Sequence, residues 1–380
     1  MTDTTLTGTI LEQVSRGMGL FPETGKLLIA FNPACGKVST AKARRELVRQ
    51  LEPLRPFPRK RYTLLYSRYP GQLRELVDAH CREIWEVGDV SDGGAVTIAS
   101  CGGDGTHAET LASAEPWAER GLRVTVVRWP FGTGNDAADG ATVEALLERL
   151  TAPWEPATAP WEPATAPWEP ATTRRVSEVT VPAQALTVTT RRGVVYHAYN
   201  IASIGVDAFI TDLTVKLRHI VPGNIYRRVA DVSVLFYEQL IGVAPMRVTY
   251  DGRGGSGLLE GRFMLLAVGA GAPRTYGNQM RVLPDHRNLC AIERGHIGRK
   301  VVMKRRFYAG RHIHDRRTHM AEARSVTVAY GRRIPMQLDG EPFWLTGEEF
   351  PVTVRVEPGL VRVLPPVRSD GRLTQDSGRA

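Results

Sequence analysis

The stretch Cys101-Gly102-Gly103-Asp104-Gly105-Thr106 directly follows a β-branched run, Ala95 to Ala99. A second glycine-rich turn, Pro130-Phe131-Gly132-Thr133-Gly134-Asn135-Asp136, follows the run Val124 to Val127. In α/β folds, a strand followed by a glycine-rich turn and a helix presents backbone N–H groups to an anion. Two such turns on neighbouring strands indicate a nucleoside triphosphate site, and therefore a kinase.

A third turn of the same kind ends an earlier strand. The apolar run Leu27 to Phe31 leads into Asn32-Pro33-Ala34-Cys35-Gly36-Lys37. Strand-like and helix-like segments alternate from there to about Leu150, which predicts an α/β domain with a doubly wound parallel sheet. Ligands bind at the carboxyl ends of the strands in such sheets, so we expect the three turns to meet at one edge.

The residue composition and the predicted secondary structure change after this domain. Residues 151–171 repeat the heptad Thr-Ala-Pro-Trp-Glu-Pro-Ala three times, and two prolines per heptad exclude a helix or a central strand. The repeat is either a docking segment that uses its tryptophans or a tandem expansion in a tolerant loop, and we favour the second. Beyond it, short β-rich runs separated by turn signals predict a mainly antiparallel β-sandwich. The predicted segments are a weakly ordered leader (1–24), a nucleotide-binding α/β domain (25–150), the repeat insertion (151–172), a β-rich substrate domain (173–366) and a disordered tail (367–380).

Composition narrows the class of protein. The 380 residues carry a net charge of +9, which favours partners that bear phosphate. The longest apolar run, about ten residues, is half of what a membrane-spanning helix needs. Four cysteines without a CxxC pair favour a reduced, cytoplasmic protein over a disulfide framework or a zinc site. No helix-turn-helix or zinc pattern accompanies the charge, so nucleic acid is not an expected partner.

Taken together, the motifs resemble the diacylglycerol kinase catalytic family, which includes bacterial lipid kinases, sphingosine kinases and ceramide kinases and is related to NAD kinases. The resemblance extends in the right order from Lys26 to Pro365. The segments that carry it are NPxxG (32–36), GGDGT (102–106), PxGTGND (130–136), NxxxxGxDA (200–208), a glycine-rich stretch ending in Pro-Asp (277–285) and a DGE turn (337–342).

The resemblance implies an enzyme that uses ATP and Mg²⁺ to phosphorylate the hydroxyl of a membrane lipid, with diacylglycerol as the default acceptor and phosphatidic acid as the product. It implies that Asp339 is the general base and that Glu341 supports it or helps to hold Mg²⁺. Asp104 is the alternative base, and because a carboxylate at an anion site needs a cation beside it, we also expect Asp104 to be a Mg²⁺ ligand. The ATP contacts that it implies are Asn32, Pro33, Ala34, Cys35, Gly36, Ser67, Gly102, Gly103, Asp104, Gly105, Thr106, Gly132, Thr133, Gly134 and Asn135.

The sequence departs from the family pattern at two places. Cys35 stands where the family has a serine, which removes a hydroxyl donor near the phosphates. Bacterial members carry an Asp-Gly pair after the Pro-Asp stretch that helps to hold a structural Mg²⁺, whereas here Pro284-Asp285 continues into His286-Arg287-Asn288. The existence of a second metal site is therefore left open.

A basic stretch between Arg294 and Arg324 contains ten Lys/Arg residues against Asp315 and Glu322. It is either a surface for anionic lipid head groups or an ordinary solvated helix face. With a lipid substrate at the membrane surface, we expect a cytoplasmic protein that associates peripherally with the inner face of the membrane. The sequence leaves a homodimer open.

Three other functions remain open at this point. The acceptor could be a sphingoid base, ceramide or another lipid alcohol. A soluble kinase similar to NAD kinase shares the GGDGT motif, but the PFGTGND and DGE segments argue against it. A non-catalytic relative that binds nucleotide or lipid is the third, and the presence of Asp104, Asp339 and Glu341 counts against it.

Overall fold

The computed structural model describes residues 3–21, 25–87, 94–132, 142–151, 180–218, 235–276 and 280–365. The chain divides into two compact units, of which unit 1 comprises Met1–Ala183 with Gly359–Ala380 and unit 2 comprises Gln184–Pro358. We predicted that residues 173–366 form one domain, but the chain returns to unit 1 at Gly359. The repeat from residue 152 onward and the predicted tail lie outside the described residues.

Unit 1 is built on a parallel sheet with strand order β2-β1-β3-β4, as the alternating pattern predicts. Its central strands are buried along almost their whole length, which is typical of a sheet covered on both faces. The strands are β1 (Lys26–Phe31), β2 (Thr63–Tyr66), β3 (Ala95–Gly102) and β4 (Arg123–Pro130). The helices are α1 (Asp3–Gly19), α2 (Ala41–Gln50), α3 (Gln72–Val87), α4 (Asp104–Glu119) and α5 (Val143–Thr151).

The predicted leader is wrong for residues 3–19, which form α1. Apolar side chains recur every three or four residues on one face of this helix and are buried in the core of unit 1. Trp129 on β4 donates its indole N–H to the Met18 sulfur at 3.4 Å, and Gly17 lies against the same ring. Burial of this face stabilises a helix whose many threonines have low intrinsic propensity, so tertiary packing overrides the local signal.

Unit 2 is a sandwich of antiparallel strands, as predicted. One sheet has the order β14-β13-β10-β7-β16-β17, and in the other β15 pairs with β8 and with the first part of β18. The inward side chains of both sheets share one apolar core that includes Ile204, Leu266, Val326 and Met336. The strands are β5 (Val181–Thr189), β6 (Val195–Ala198), β7 (Ile201–Gly205), β8 (Met246–Gly252), β9 (Gly255–Gly261), β10 (Phe263–Gly269), β11 (Arg274–Tyr276), β12 (Met280–Leu283), β13 (Leu289–Glu293), β14 (Thr318–Ala321), β15 (Ser325–Ala329), β16 (Ile334–Leu338), β17 (Glu341–Leu345) and β18 (Val352–Val363).

Helices lie between some of these strands: α6 (Val206–Arg218), α7 (235–241) and α8 (Ile297–Tyr308). Across the part of the chain that the structure describes, each helix is too short or too polar to cross a membrane.

Candidate active site

The three glycine-rich turns of unit 1 meet at the carboxyl ends of their strands. The carbonyl of Gly102 accepts hydrogen bonds from Phe131 N–H (2.8 Å) and Gly132 N–H (3.0 Å), which joins the turn after β3 to the turn after β4. Lys37 N–H donates to the carbonyl of Phe131 at 2.8 Å, which joins the turn after β1 to the turn after β4. The sequence prediction that these turns share one edge is therefore confirmed. We call them the glycine loops (32–37, 102–106 and 131–132).

A side-chain contact fixes the spacing of the first two glycine loops. Asn32 donates from Nδ2 to Thr106 Oγ1 at 3.0 Å and accepts from Ala34 N–H at 3.0 Å. Gly102 leaves the space for this contact, because a Cβ at that position would stand 2.3 Å from Thr106 Oγ1. Asn32 therefore braces the loops, a role additional to the predicted ATP contact.

The amino terminus of α4 offers its N–H groups at this edge. The first backbone bond of the helix runs from His107 N–H to the carbonyl of Gly103 at 3.1 Å, so the N–H groups of 104–106 precede it. A Cβ at Gly105 would meet no heavy atom within 4 Å. A helix amino terminus with bare backbone and open space fits a phosphate group.

Asp104 lies in the first turn of α4 and forms an ion pair with Arg128 of β4. The Arg128 side chain is 6% exposed, and that of Asp104 is 19% exposed. The guanidinium offsets the carboxylate that would otherwise repel a phosphate at the helix terminus. We did not single out Arg128 from the sequence, because a lone arginine in a β-branched strand carries no local signal of its partner.

The other predicted contacts in unit 1 have identifiable neighbours. Cys35 is half-buried, and burial raises the pKa of its thiol to about 12, so it stays protonated at neutral pH. Ser67 is buried and donates to the carbonyl of Tyr69 at 3.0 Å. Pro33, Ala34 and Gly36 complete the first glycine loop. Thr133, Gly134 and Asn135 lie outside the described residues.

In unit 2, Asp339 and Gly340 form the two-residue turn between β16 and β17. Their φ angles are 50° and 90°, the left-handed pair that hairpins with this dipeptide adopt. Asp339 N–H donates to the carbonyl of Ile201 at 3.0 Å. The DGE segment is therefore a hairpin turn by structure, and its position against β7 brings it to the NxxxxGxDA segment.

The Asp339 carboxylate accepts three backbone hydrogen bonds from that segment. Oδ2 accepts from Tyr199 N–H at 2.7 Å, while Oδ1 accepts from Asn200 N–H at 2.9 Å and Ile201 N–H at 2.8 Å. Burial raises the pKa of this carboxyl, and the three N–H donors and the nearby Arg274 oppose that rise without cancelling it. A fixed carboxylate with a raised pKa is suited to accept a proton.

Gln337 connects the Asp339 turn to the start of α6. Its Oε1 accepts from Gly340 N–H at 2.7 Å, and its Nε2 donates to Ser203 Oγ and Asp207 Oδ2, both at 3.0 Å. Ser203 Oγ also donates to Asp207 Oδ2 at 2.5 Å. We missed Gln337 as a site residue. The only sequence signal was its position two residues before Asp339.

Glu341 is exposed at the start of β17, next to the turn. Within the described residues, no three His, Cys, Asp or Glu side chains come together as a metal site. Asp285, where a structural Mg²⁺ was in question, is instead held by Arg287, whose Nε lies 3.1 Å from each carboxylate oxygen. The Asp285 carboxylate is therefore paired with a guanidinium, and among the described residues no cluster of metal ligands surrounds it.

Comparison with known proteins agrees with this architecture. Residues 26–153 match the diacylglycerol kinase catalytic domain, and residues 200–365 match the YegS C-terminal NAD kinase beta sandwich-like domain. No curated protein matches the sequence.

Two solved structures from Bacillus anthracis str. Sterne are similar to this chain. A candidate diacylglycerol kinase is 17% identical, with a TM-score of 0.52, and the match covers 90% of this chain and 97% of that one. A diacylglycerol kinase is 15% identical over the same shares of both chains, with a TM-score of 0.49. At such identity the first likeness shows a shared fold. With both domain matches in the expected order, the chain belongs to the diacylglycerol kinase-like family of lipid kinases.

Proposed function

We propose that this protein transfers the γ-phosphoryl group of ATP to the hydroxyl of a membrane lipid, with diacylglycerol as the first substrate to test. The observation that carries the proposal is the Asp339 carboxylate, which three backbone N–H groups hold in one orientation. Membership of the kinase family supports phosphoryl transfer. The choice of diacylglycerol rests on the family resemblance alone.

The glycine loops would bind the nucleotide phosphates. The bare backbone at Gly103 and Gly105 lets phosphate oxygens approach the N–H groups of α4. The predicted contacts at Asn32 and Thr106 are already joined by a hydrogen bond, so the loops need little rearrangement on binding. Such preorganisation lowers the entropic cost of fixing the phosphates.

Asp339 would take the proton from the acceptor hydroxyl. Two N–H donors fill Oδ1, whereas Oδ2 accepts from one and keeps a lone pair for the substrate. As the proton moves to Oδ2, the hydroxyl oxygen bonds to the γ-phosphorus and the bond to the bridging oxygen of ADP breaks. Gln337 holds the turn in place through Gly340 N–H.

Mg²⁺ would neutralise the charge on the phosphates, as it does in other kinases. The described residues fit an ion held chiefly by phosphate oxygens and water, since Asp104 is paired with Arg128 and no cluster of three ligands is present among them. Asp104 in unit 1 and the exposed Glu341 in unit 2 each stay a prediction as a Mg²⁺ ligand.

The test is transfer of labelled γ-phosphate from ATP into a total lipid extract, resolved by lipid chromatography. Asp339→Asn should reduce transfer by about 100-fold to 10,000-fold, the usual contribution of a general base. Asparagine tolerates the left-handed turn, and its amide oxygen can still accept from Asn200 N–H and Ile201 N–H. Asp251→Asn, the same change at an exposed position near the end of β8 in unit 2, is the control and should keep full activity.

Each outcome of this assay has a defined meaning. A labelled lipid that disappears with Asp339→Asn supports the proposal, and its mobility identifies the acceptor class. Full activity of Asp339→Asn removes Asp339 as the base and points to Asp104. Absence of label from every lipid, or transfer to NAD when NAD replaces the lipid extract, would refute the lipid kinase function.

A further inference from the structure

Helix α8 packs against the rest of unit 2 with a lysine on its buried face. Its inward side carries Lys300, which is 4% exposed, together with the buried Met303. The Lys300 ammonium donates to the carbonyl of Leu235 at 2.9 Å and lies 3.6 Å from Glu238, both on α7. A buried lysine with two such partners fixes which side of α8 faces the protein.

The outward side of α8 carries large apolar side chains. Ile297, Val301 and Tyr308, spaced four and seven residues apart, lie on one stripe and are 44%, 47% and 44% exposed. Val302 follows Val301 in the chain, about 100° further round the helix, and is 49% exposed. A helix on the surface of a globular protein normally buries its apolar stripe, whereas α8 leaves these side chains exposed. We call this surface the α8 stripe (Ile297, Val301, Val302 and Tyr308).

Cationic side chains surround the α8 stripe. Arg305 is exposed on the same face, one turn from Val301 and one from Tyr308. Arg294 and Arg311 are exposed at the two ends of the helix. Asp315, one of the two acids in this stretch, is turned inward by ion pairs with Arg299 and Arg306. The exposed charge around the stripe is therefore positive.

We infer that the α8 stripe docks on an anionic lipid bilayer, with its apolar side chains at the level of the head groups and its arginines on lipid phosphates. An apolar face flanked by Lys and Arg is the pattern of helices that lie in the membrane interface. The choice of a lipid partner rests on the proposed function, whereas the exposure and charge of the stripe do not.

A second copy of the chain fits this surface less well. Two α8 stripes packed face to face would bring their Arg305 side chains and flanking cations together, and like charges in an interface oppose association. Nucleic acid would match the charge, but its phosphates offer nothing to four exposed apolar side chains. A bilayer with anionic head groups satisfies both features.

The test is co-sedimentation of the purified full chain with vesicles, without ATP. Vesicles of phosphatidylcholine mixed with phosphatidylglycerol should bind the protein, and phosphatidylcholine alone should bind it at least about tenfold more weakly. The combined variant Ile297→Ser, Val301→Ser and Tyr308→Ser should weaken binding to the mixed vesicles by about tenfold or more. Leu258→Ser on β9, where the leucine is 49% exposed, is the matched control and should bind like the wild type.

The inference is overturned if the triple variant binds the mixed vesicles as the wild type does, or if both vesicle types bind the wild type equally. It is also overturned if the wild type forms a dimer that the triple variant loses, with no vesicle binding. Transfer of labelled phosphate to diacylglycerol in detergent micelles tests the proposed kinase activity independently of vesicle binding. The triple variant should keep that activity, whereas failure of the wild type there refutes the kinase proposal and leaves vesicle binding to be judged separately.

Discussion

Two alanine substitutions in the second glycine loop should change the free energy of unfolding in opposite directions. In Gly102→Ala the new methyl group would stand 2.3–2.6 Å from three atoms of Thr106. Thr106 is buried and its hydroxyl is held by Asn32, so it has little room to move. Overpacking of this kind lowers the free energy of unfolding by about 1–3 kcal/mol, and loss of the Asn32 bond adds about 1 kcal/mol.

Gly105→Ala is the matched control, three residues further along the chain in the first turn of α4. Its methyl group would meet no protein atom within 4 Å, and its φ lies outside the left-handed region. Because alanine favours helix, the free energy of unfolding should rise by about 0.5–1 kcal/mol. The free energies of unfolding of the two variants in urea should therefore differ by about 2.5–5 kcal/mol.

Nucleotide binding separates the structural from the functional role of the same residue. If phosphate oxygens approach the bare backbone, the methyl group of Gly105→Ala takes up that space and should weaken ATP binding in calorimetry by about tenfold or more, although the protein is more stable. Wild-type ATP affinity in Gly105→Ala would refute phosphate binding at this turn. If Gly102→Ala unfolds with the free energy of the wild type, the close packing of Gly102 against Thr106 is refuted.

Three further predictions concern charged pairs. Arg128→Met leaves the Asp104 carboxylate without its ion pair and should lower the free energy of unfolding by about 3 kcal/mol in urea, and a loss well below that would mean water already screens the pair. EDTA should leave the midpoint of thermal unfolding unchanged in the absence of nucleotide, because Arg287 holds Asp285, and a large drop would reveal a structural metal. Burial alone would raise the pKa of Asp285, but its bonds to Arg287 outweigh burial and lower it. As pH falls, the unfolded chain therefore binds that proton before the folded chain does, so the free energy of unfolding decreases below the ordinary carboxyl pKa. In Asp285→Asn the free energy of unfolding should decrease less steeply over that acid range. Asp339 contributes to the pH dependence in the opposite direction, because its pKa is raised in the folded chain. As pH rises above the ordinary carboxyl pKa, the unfolded chain releases the proton first and the free energy of unfolding decreases.

The parallel sheet of unit 1 and the meeting of its turns were predictable because their signals are local. Each turn is a short glycine-dense segment immediately after a β-branched strand, as at Gly102 and Gly132. The hairpin at Asp339 was visible for the same reason, since an Asp-Gly pair between two strand-like runs needs no distant partner.

The contacts that support the site could not be read in the same way. Gln337 bonds to Ser203, 134 residues earlier, and that pairing depends on the register of β16 against β7. Arg128 reaches Asp104 across two neighbouring strands, which a linear pattern does not reveal. Helix α1 was missed because its threonines have a low helix propensity. Its apolar face stabilises the helix only when it packs on the core that includes Trp129.

The last strand has a consequence for how the protein is made. Arg362 and Val363 of β18 pair with Thr125 and Val126 of β4, and Glu115 accepts from Leu360 N–H at 2.5 Å. During synthesis, the edge of β4 that faces away from β3 therefore has no β18 to pair with until more than 200 further residues are made. This takes on the order of 10–50 s at ordinary elongation rates. An open edge strand is a template for misassembly during that time. Unit 1, although nearly all of it is translated first, is completed last, so a premature stop shortly before residue 360 would damage unit 1 as well as unit 2.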